Sequence, residues 1–124
     1  MTGARPRAGI PIFALANGRT GSAAEGLIFY LQQSGRARVV GERTAGAGHN
    51  VAVFPLPDSL QASISIGRVW YPGNMKEWER VGVVPDDSIP GADALCAAHA
   101  AAVKALAVSR GGASLTALGR PPGC

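Results

Sequence analysis

Asn17-Gly18-Arg19-Thr20-Gly21-Ser22-Ala23-Ala24-Glu25 is the stretch whose reading decides this chain. The apolar run Ile10-Pro11-Ile12-Phe13-Ala14-Leu15-Ala16 precedes it and reads as a buried strand. Gly26-Leu27-Ile28-Phe29-Tyr30-Leu31 follows, with Ala24, Leu27, Ile28 and Leu31 recurring at helical spacing, so residues 22–34 read as a helix on that face. A serine thus stands on a tight turn between strand and helix. The first N–H groups of a helix lack intrahelical acceptors and carry partial positive charge. A hydroxyl held there is placed for acyl transfer, because its attack on a carbonyl creates an oxyanion that needs donors. The same letters fit a structural role. Ser22-x-x-Glu25 is also a capping box, in which the serine caps the helix and the glutamate reaches back. Local sequence leaves both readings open.

Working outward, Gly35 ends the helix and Ala37-Arg38-Val39-Val40-Gly41 within residues 36–42 reads as a second strand. Strand, helix and strand with short connections predict a parallel crossover. A small-residue loop, Arg43 to Asn50, leads to a short strand at Val51–Phe54. Leu60, Ala62, Ile64 and Ile66 alternate with Gln61, Ser63 and Ser65, which predicts a half-buried strand antiparallel to its neighbour. Trp78 to Asp87 reads as a short apolar element. A second helix is expected over about residues 92–108, with Leu95, Ala98, His99, Ala102, Val103 and Leu106 on one face. Residues 1–9 read as a lead-in and 109–124 as a disordered tail. The first strand is strongly apolar and a buried parallel strand needs neighbours on both sides, so the chain reads as the second half of a domain.

Composition narrows the function. The 124 residues suffice for one modest core, and 47% of them are apolar. The net charge of +4 is spread over single arginines, with no basic stripe or aromatic ladder, which argues against nucleic acid as a partner. No apolar run is long enough for a membrane span, and no signal-peptide core follows Arg5 and Arg7. Cys96 reads as a small core residue and Cys124 as mobile, so no disulfide is expected; no metal-ligand spacing is present. No cofactor is implied, and the compartment is left open.

Four segments together resemble the tail-specific, or C-terminal-processing, serine peptidases, a group that includes the tricorn protease core and the repeats of interphotoreceptor retinoid-binding protein. They are Asn17 to Glu25; Gly35-Arg36-Ala37-Arg38-Val39-Val40-Gly41-Glu42-Arg43-Thr44-Ala45-Gly46; Ile66-Gly67-Arg68 with Trp78-Glu79; and Val81-Gly82-Val83-Val84-Pro85-Asp86 followed by Asp93-Ala94-Leu95. Their order covers roughly residues 10–108. The resemblance implies an α/β fold, a partial ClpP/crotonase-like sheet with two main helices, and the C-terminal part of a tail-specific protease domain. It implies a serine peptidase acting on extended peptides or protein tails through an acyl-enzyme. Ser22 stands at the nucleophile, the Ala23 N–H at an oxyanion donor, and Glu79 at an orienting carboxylate.

The resemblance also exposes a gap. Many members carry a lysine base on the loop that here reads Ala45-Gly46-Ala47-Gly48-His49, with Ala47 at its position. The tricorn-like branch takes its base from an earlier histidine, which this sequence lacks. His49 reads as a loop residue rather than the base, and His99 as a packed helix residue. A serine without a base is a poor nucleophile, so the isolated chain is expected to show no turnover. The missing N-terminal half or a second copy is the expected protein partner, beside a peptide substrate. A non-catalytic ligand- or peptide-binding relative and an inactive truncated product are the alternatives.

Overall fold

The computed structural model describes residues 9–109, 119 and 121–124. Three parallel strands form the central sheet: β1 (Ile12–Ala16), β2 (Ala37–Gly41) and β5 (Asp87–Ser88), in the order β1-β2-β5. Helix α1 (Ala23–Gln33) connects β1 to β2. An antiparallel hairpin, β3 (Asn50–Pro55) and β4 (Gln61–Gly67), forms a separate two-stranded sheet. Helix α2 (Ala94–Ser109) follows β5. The α/β class, the parallel β1–β2 pair and the antiparallel hairpin agree with the sequence reading. Residues 78–86 carry turns rather than a regular element, and only Asp87–Ser88 pairs with the sheet. Residues 1–8 of the expected lead-in and most of the expected tail lie outside the described residues.

Adjacent residues of β2 point to opposite faces, and this builds three layers. Val39 joins Ala16, Ile28, Phe29, Trp78 and Val83 in one core cluster, on the α1 side. Val40 joins Ala94 and Ala98 in another, on the α2 side, with Phe13 and Ile89 against them. Small alanines on α2 let that helix lie close to the sheet.

Four expectations are corrected. The buried face of α1 is Glu25, Ile28 and Phe29, while Leu27 is 63% exposed. The rotation follows from Glu25: a charged residue is left out of an apolar periodicity, yet here its bonds to a loop fix which face turns inward. On α2 the inward residues are Ala94 and Ala98, and Leu95 is exposed. The β3–β4 hairpin is not half-buried, since Leu60, Ile64 and Ile66, and Val51, Val53 and Phe54 opposite, are all exposed. Cys96 and Cys124 form a disulfide, with Cα atoms 5.5 Å apart. Sequence spacing could not foresee that the chain end returns to α2.

β1 is not the fully buried strand its composition suggests. It pairs with β2 alone among the described residues, and Ile12 and Leu15 remain exposed. An apolar strand edge left open is an association site. We expect amides of residues 12–16 to exchange faster in the dilute chain than in concentrated solution, with light scattering rising alongside. Strong protection in a demonstrated monomer would contradict this.

Candidate active site

The turn that carries Ser22 is knitted by short-range bonds. Asn17 Oδ1 accepts from the Arg19 N–H at 2.9 Å, and the Thr20 N–H donates to the Asn17 carbonyl at 2.9 Å. Ser22 follows with φ 55° and ψ −126°. This left-handed φ is uncommon for a residue bearing a Cβ and costs energy, so the surroundings must enforce it. A strained strand-to-helix turn of this kind lifts the serine hydroxyl out of the backbone.

The capping-box arrangement is present. The Glu25 carboxylate accepts from the Ser22 N–H at 2.9 Å. The reciprocal contact from the Ser22 hydroxyl to the helix has the arrangement of a box but falls short of a hydrogen bond. Ala23 opens α1, and its N–H is one of the donors that a helix start leaves without an intrahelical acceptor.

Glu25 does far more than cap. Its side chain has no exposed surface. One carboxylate oxygen takes a very short bond from the Thr44 hydroxyl and one of 2.6 Å from the Gly46 N–H. The other accepts from the Ala47 N–H at 2.8 Å and from the Ser22 N–H at 2.9 Å. Burial is the largest single influence on this carboxyl and pushes its pKa upward. The bonds from Thr44, Gly46, Ala47 and Ser22 together outweigh it and hold the pKa below the ordinary 4.5. Thr44 in turn accepts from the Val83 N–H at 2.7 Å, which extends the network into the core. Sequence reading gave Glu25 only its local partner. The other three bonds come from a loop 19 to 22 residues away.

That loop, residues 43–49, therefore lies against the serine turn. The Ala45 N–H donates to the Thr20 carbonyl at 2.9 Å. The methyl groups of Ala45 and Ala47 lie 3.8 and 4.0 Å from where a Cβ on Gly21 would be. Position 47 is thus adjacent to the serine turn, and its alanine carries no ionisable group. Glu79 holds the next part of the loop, accepting from the Gly48 N–H at 2.7 Å and the His49 N–H at 2.9 Å. Its other oxygen lies 3.9 Å from His49 Nδ1. Gly48 is needed for this approach: a Cβ there would stand 2.9 Å from the Glu79 backbone nitrogen and 3.3 Å from Trp78 Nε1. Gly48→Ala is expected to push the loop off Glu79, with a measurable loss of thermal stability and of any reactivity at Ser22.

Ser22, Ala23, Gly26, Tyr30, Val69 and Trp78 line one cleft of about 170 Å³ together with Ala47, Gly48 and His49. Trp78 is 3% exposed, and its buried Nε1–H has no hydrogen-bond partner among the described residues. The structure thus brings together Ser22, Ala23 and the Glu79-anchored loop. His49 stands on the cleft wall, where the sequence reading did not favour it. His99 is half-buried on α2, in neither of the core clusters. Among the described residues, no group of His, Cys, Asp and Glu could hold a metal, and no helix is long and apolar enough to cross a membrane.

Comparison with known proteins gives the family. The family model of peptidase family S41 matches residues 2–89. A carboxyl-terminal-processing protease of Picosynechococcus sp. is 34% identical over 86 residues, covering 69% of this chain and 20% of that protein. Carboxyl-terminal-processing peptidase 2, chloroplastic, of Arabidopsis thaliana is 36% identical over 80 residues, covering 64% of this chain and 15% of that protein. The solved photosystem II D1 C-terminal processing protease superposes with a TM-score of 0.56 at 32% identity, over 65% of this chain and 21% of that one. Mature CPAF complexed with lactacystin gives 0.60 at 28%, over 68% and 17%. The chain spans a fifth or less of the length of these curated relatives. With a family match across most of its length, this chain belongs to peptidase family S41.

Proposed function

We propose that this chain contributes the nucleophile half of a serine peptidase site acting on extended peptides or protein tails. The observation that carries the reading is Ser22, held at φ 55° on the strand-to-helix turn and lining one cleft with Ala23 and the 47–49 loop. Ser22 Oγ attacks the scissile carbonyl, and the Ala23 N–H donates to the oxyanion. The amine departs, and water releases the acyl group. Glu79 is the carboxylate that orients the proton-accepting side. The relatives' names, C-terminal-processing proteases, support a protein tail as substrate.

A fluorophosphonate probe tests the reading, since it captures an activated serine without a complete substrate groove. Mass spectrometry is expected to place the adduct on Ser22. The Ala47→Lys variant is expected to label at least as fast, because position 47 abuts the turn and a lysine there supplies an amine. An adduct elsewhere, or none in either protein, would refute the nucleophile assignment.

Ala47 itself favours a second reading. A small, non-ionisable residue beside the turn suits a relative that binds peptides without cleaving them. Peptide binding by fluorescence anisotropy, with no adduct in the native chain or in Ala47→Lys, is the outcome that favours it.

A further inference from the structure

We infer that His49 is the general base for Ser22 in this chain, oriented by Glu79. The inference rests on the nucleophile reading of Ser22 and adds the residue that activates it.

Three observations converge. First, Ser22 and His49 line the same cleft of about 170 Å³. Second, the two are fixed to each other through one side chain. The Glu25 oxygen that accepts from the Ser22 N–H at 2.9 Å also accepts from the Ala47 N–H at 2.8 Å, two residues before His49. The Ala45 N–H bond to the Thr20 carbonyl, 2.9 Å, is a second tie between loop and turn. Third, His49 is held from behind. Glu79 accepts its backbone N–H at 2.9 Å and lies 3.9 Å from its Nδ1, so the carboxylate sits on the Nδ1 side of the ring. A carboxylate there favours the tautomer protonated on Nδ1 and leaves Nε2 as the acceptor. Nucleophile, base and orienting acid are then gathered at one cleft, the set of groups that forms the triad on unrelated folds. The Nδ1 distance is longer than a hydrogen bond, as such contacts often are before substrate binds.

The proton moves as follows. As Ser22 Oγ bonds to the carbonyl carbon, its proton passes to His49 Nε2, and the carbonyl π pair becomes the oxyanion beside the Ala23 N–H. Collapse of the oxyanion breaks the carbon–nitrogen bond, and His49 returns the proton to the departing amine. Water then attacks the ester and gives a proton to His49. That proton passes to Ser22 Oγ as the acid leaves.

The charged groups facing His49 are Glu79 directly and, at longer range, Glu77, whose pKa is lowered chiefly by its bond to Arg68 and in small part by His49. The Arg68 side chain pairs with Glu77 at 2.5 Å, which leaves Glu79 as the dominant charge on the imidazole.

The test is the rate of fluorophosphonate labelling of Ser22 in the full chain across pH 5–9. The native protein is expected to label faster as pH rises, because the base must be neutral to accept the Ser22 proton. His49→Ala is expected to label at least about 100-fold more slowly, the usual weight of a general base. Free imidazole should restore part of the rate in that variant alone. Glu79→Gln should keep its fold and shift the pH midpoint. Circular dichroism and thermal melting guard against a folding effect, and His49→Gln serves if the alanine variant is unstable. Native-rate labelling of a folded His49→Ala or His49→Gln protein overturns His49 and leaves Ser22 standing. Labelling of Ala47→Lys with none in the native chain does the same. No adduct in any variant removes both His49 and the nucleophile reading beneath it.

Discussion

Glu25→Ala is expected to unfold the site and most of the chain with it. The substitution leaves the Ser22, Gly46 and Ala47 N–H groups and the Thr44 hydroxyl without their shared acceptor. Removing one partner from a buried, hydrogen-bonded charge network costs about 3–5 kcal/mol. A small domain has about 5–15 kcal/mol in total, and this one is held by two small core clusters. The expected readout is loss of a cooperative melt, or a transition lowered by well over ten degrees. Glu25→Gln should fall between, because an amide keeps the shape but replaces one acceptor oxygen with a donor. A Glu25→Ala protein that melts like the native chain would show that the loop is held by other contacts.

The same carboxylate sets an acid limit. Its folded-state pKa is depressed below 4.5. A depressed carboxyl contributes stability that is complete above the unfolded value and is lost as pH falls through the folded one. The native chain should therefore lose thermal stability below about pH 4.5, and Glu25→Gln should lose correspondingly less over that window. Parallel pH curves for the two proteins would contradict the assignment.

Ser22→Ala has the second large expected effect, and its signature is the opposite. Reactivity should disappear, by about 10⁴-fold or more in any turnover measured with the complete site, while the fold stays nearly intact. The structural cost of deleting an N-cap hydroxyl is about 0.5–2 kcal/mol. The low end is expected here, since the hydroxyl's cap contact falls short of a full hydrogen bond. Backbone strain gives an internal control. At φ 55° glycine is at ease where alanine is not, so Ser22→Gly should melt at or above Ser22→Ala while being equally unreactive. A Ser22→Ala chain that retains reactivity takes Ser22 out of the chemistry. One that unfolds shows that the residue was structural.

The exposed β3–β4 hairpin follows neither pattern. Leu60, Ile64 and Ile66 alternate as a buried strand would, yet all three stay exposed on one face of a two-stranded sheet. Alternation reports that a face prefers burial; it does not say that the neighbouring layer lies in the same stretch of chain.

What the sequence by itself determined is everything that short-range chemistry controls. The strand–turn–helix around Ser22, the glycine stop after α1, the parallel β1–β2 pair and the antiparallel hairpin follow from periodicity, turn residues and connection length. The four segments in register then carried the family. Tertiary structure decided what depends on distant partners. Glu25 looked like a cap because its nearest partner is three residues away, but its weight comes from Thr44, Gly46 and Ala47. Those bonds turned α1 so that Leu27 faces out, against its apolar character. His49 looked like a loop residue because nothing in its neighbours joins it to Ser22. Two glutamates, Glu25 and Glu79, fold its loop onto the serine turn, and each does so through backbone N–H groups. Backbone donors are the same in every residue, so no letter of the sequence records which of them a carboxylate will choose.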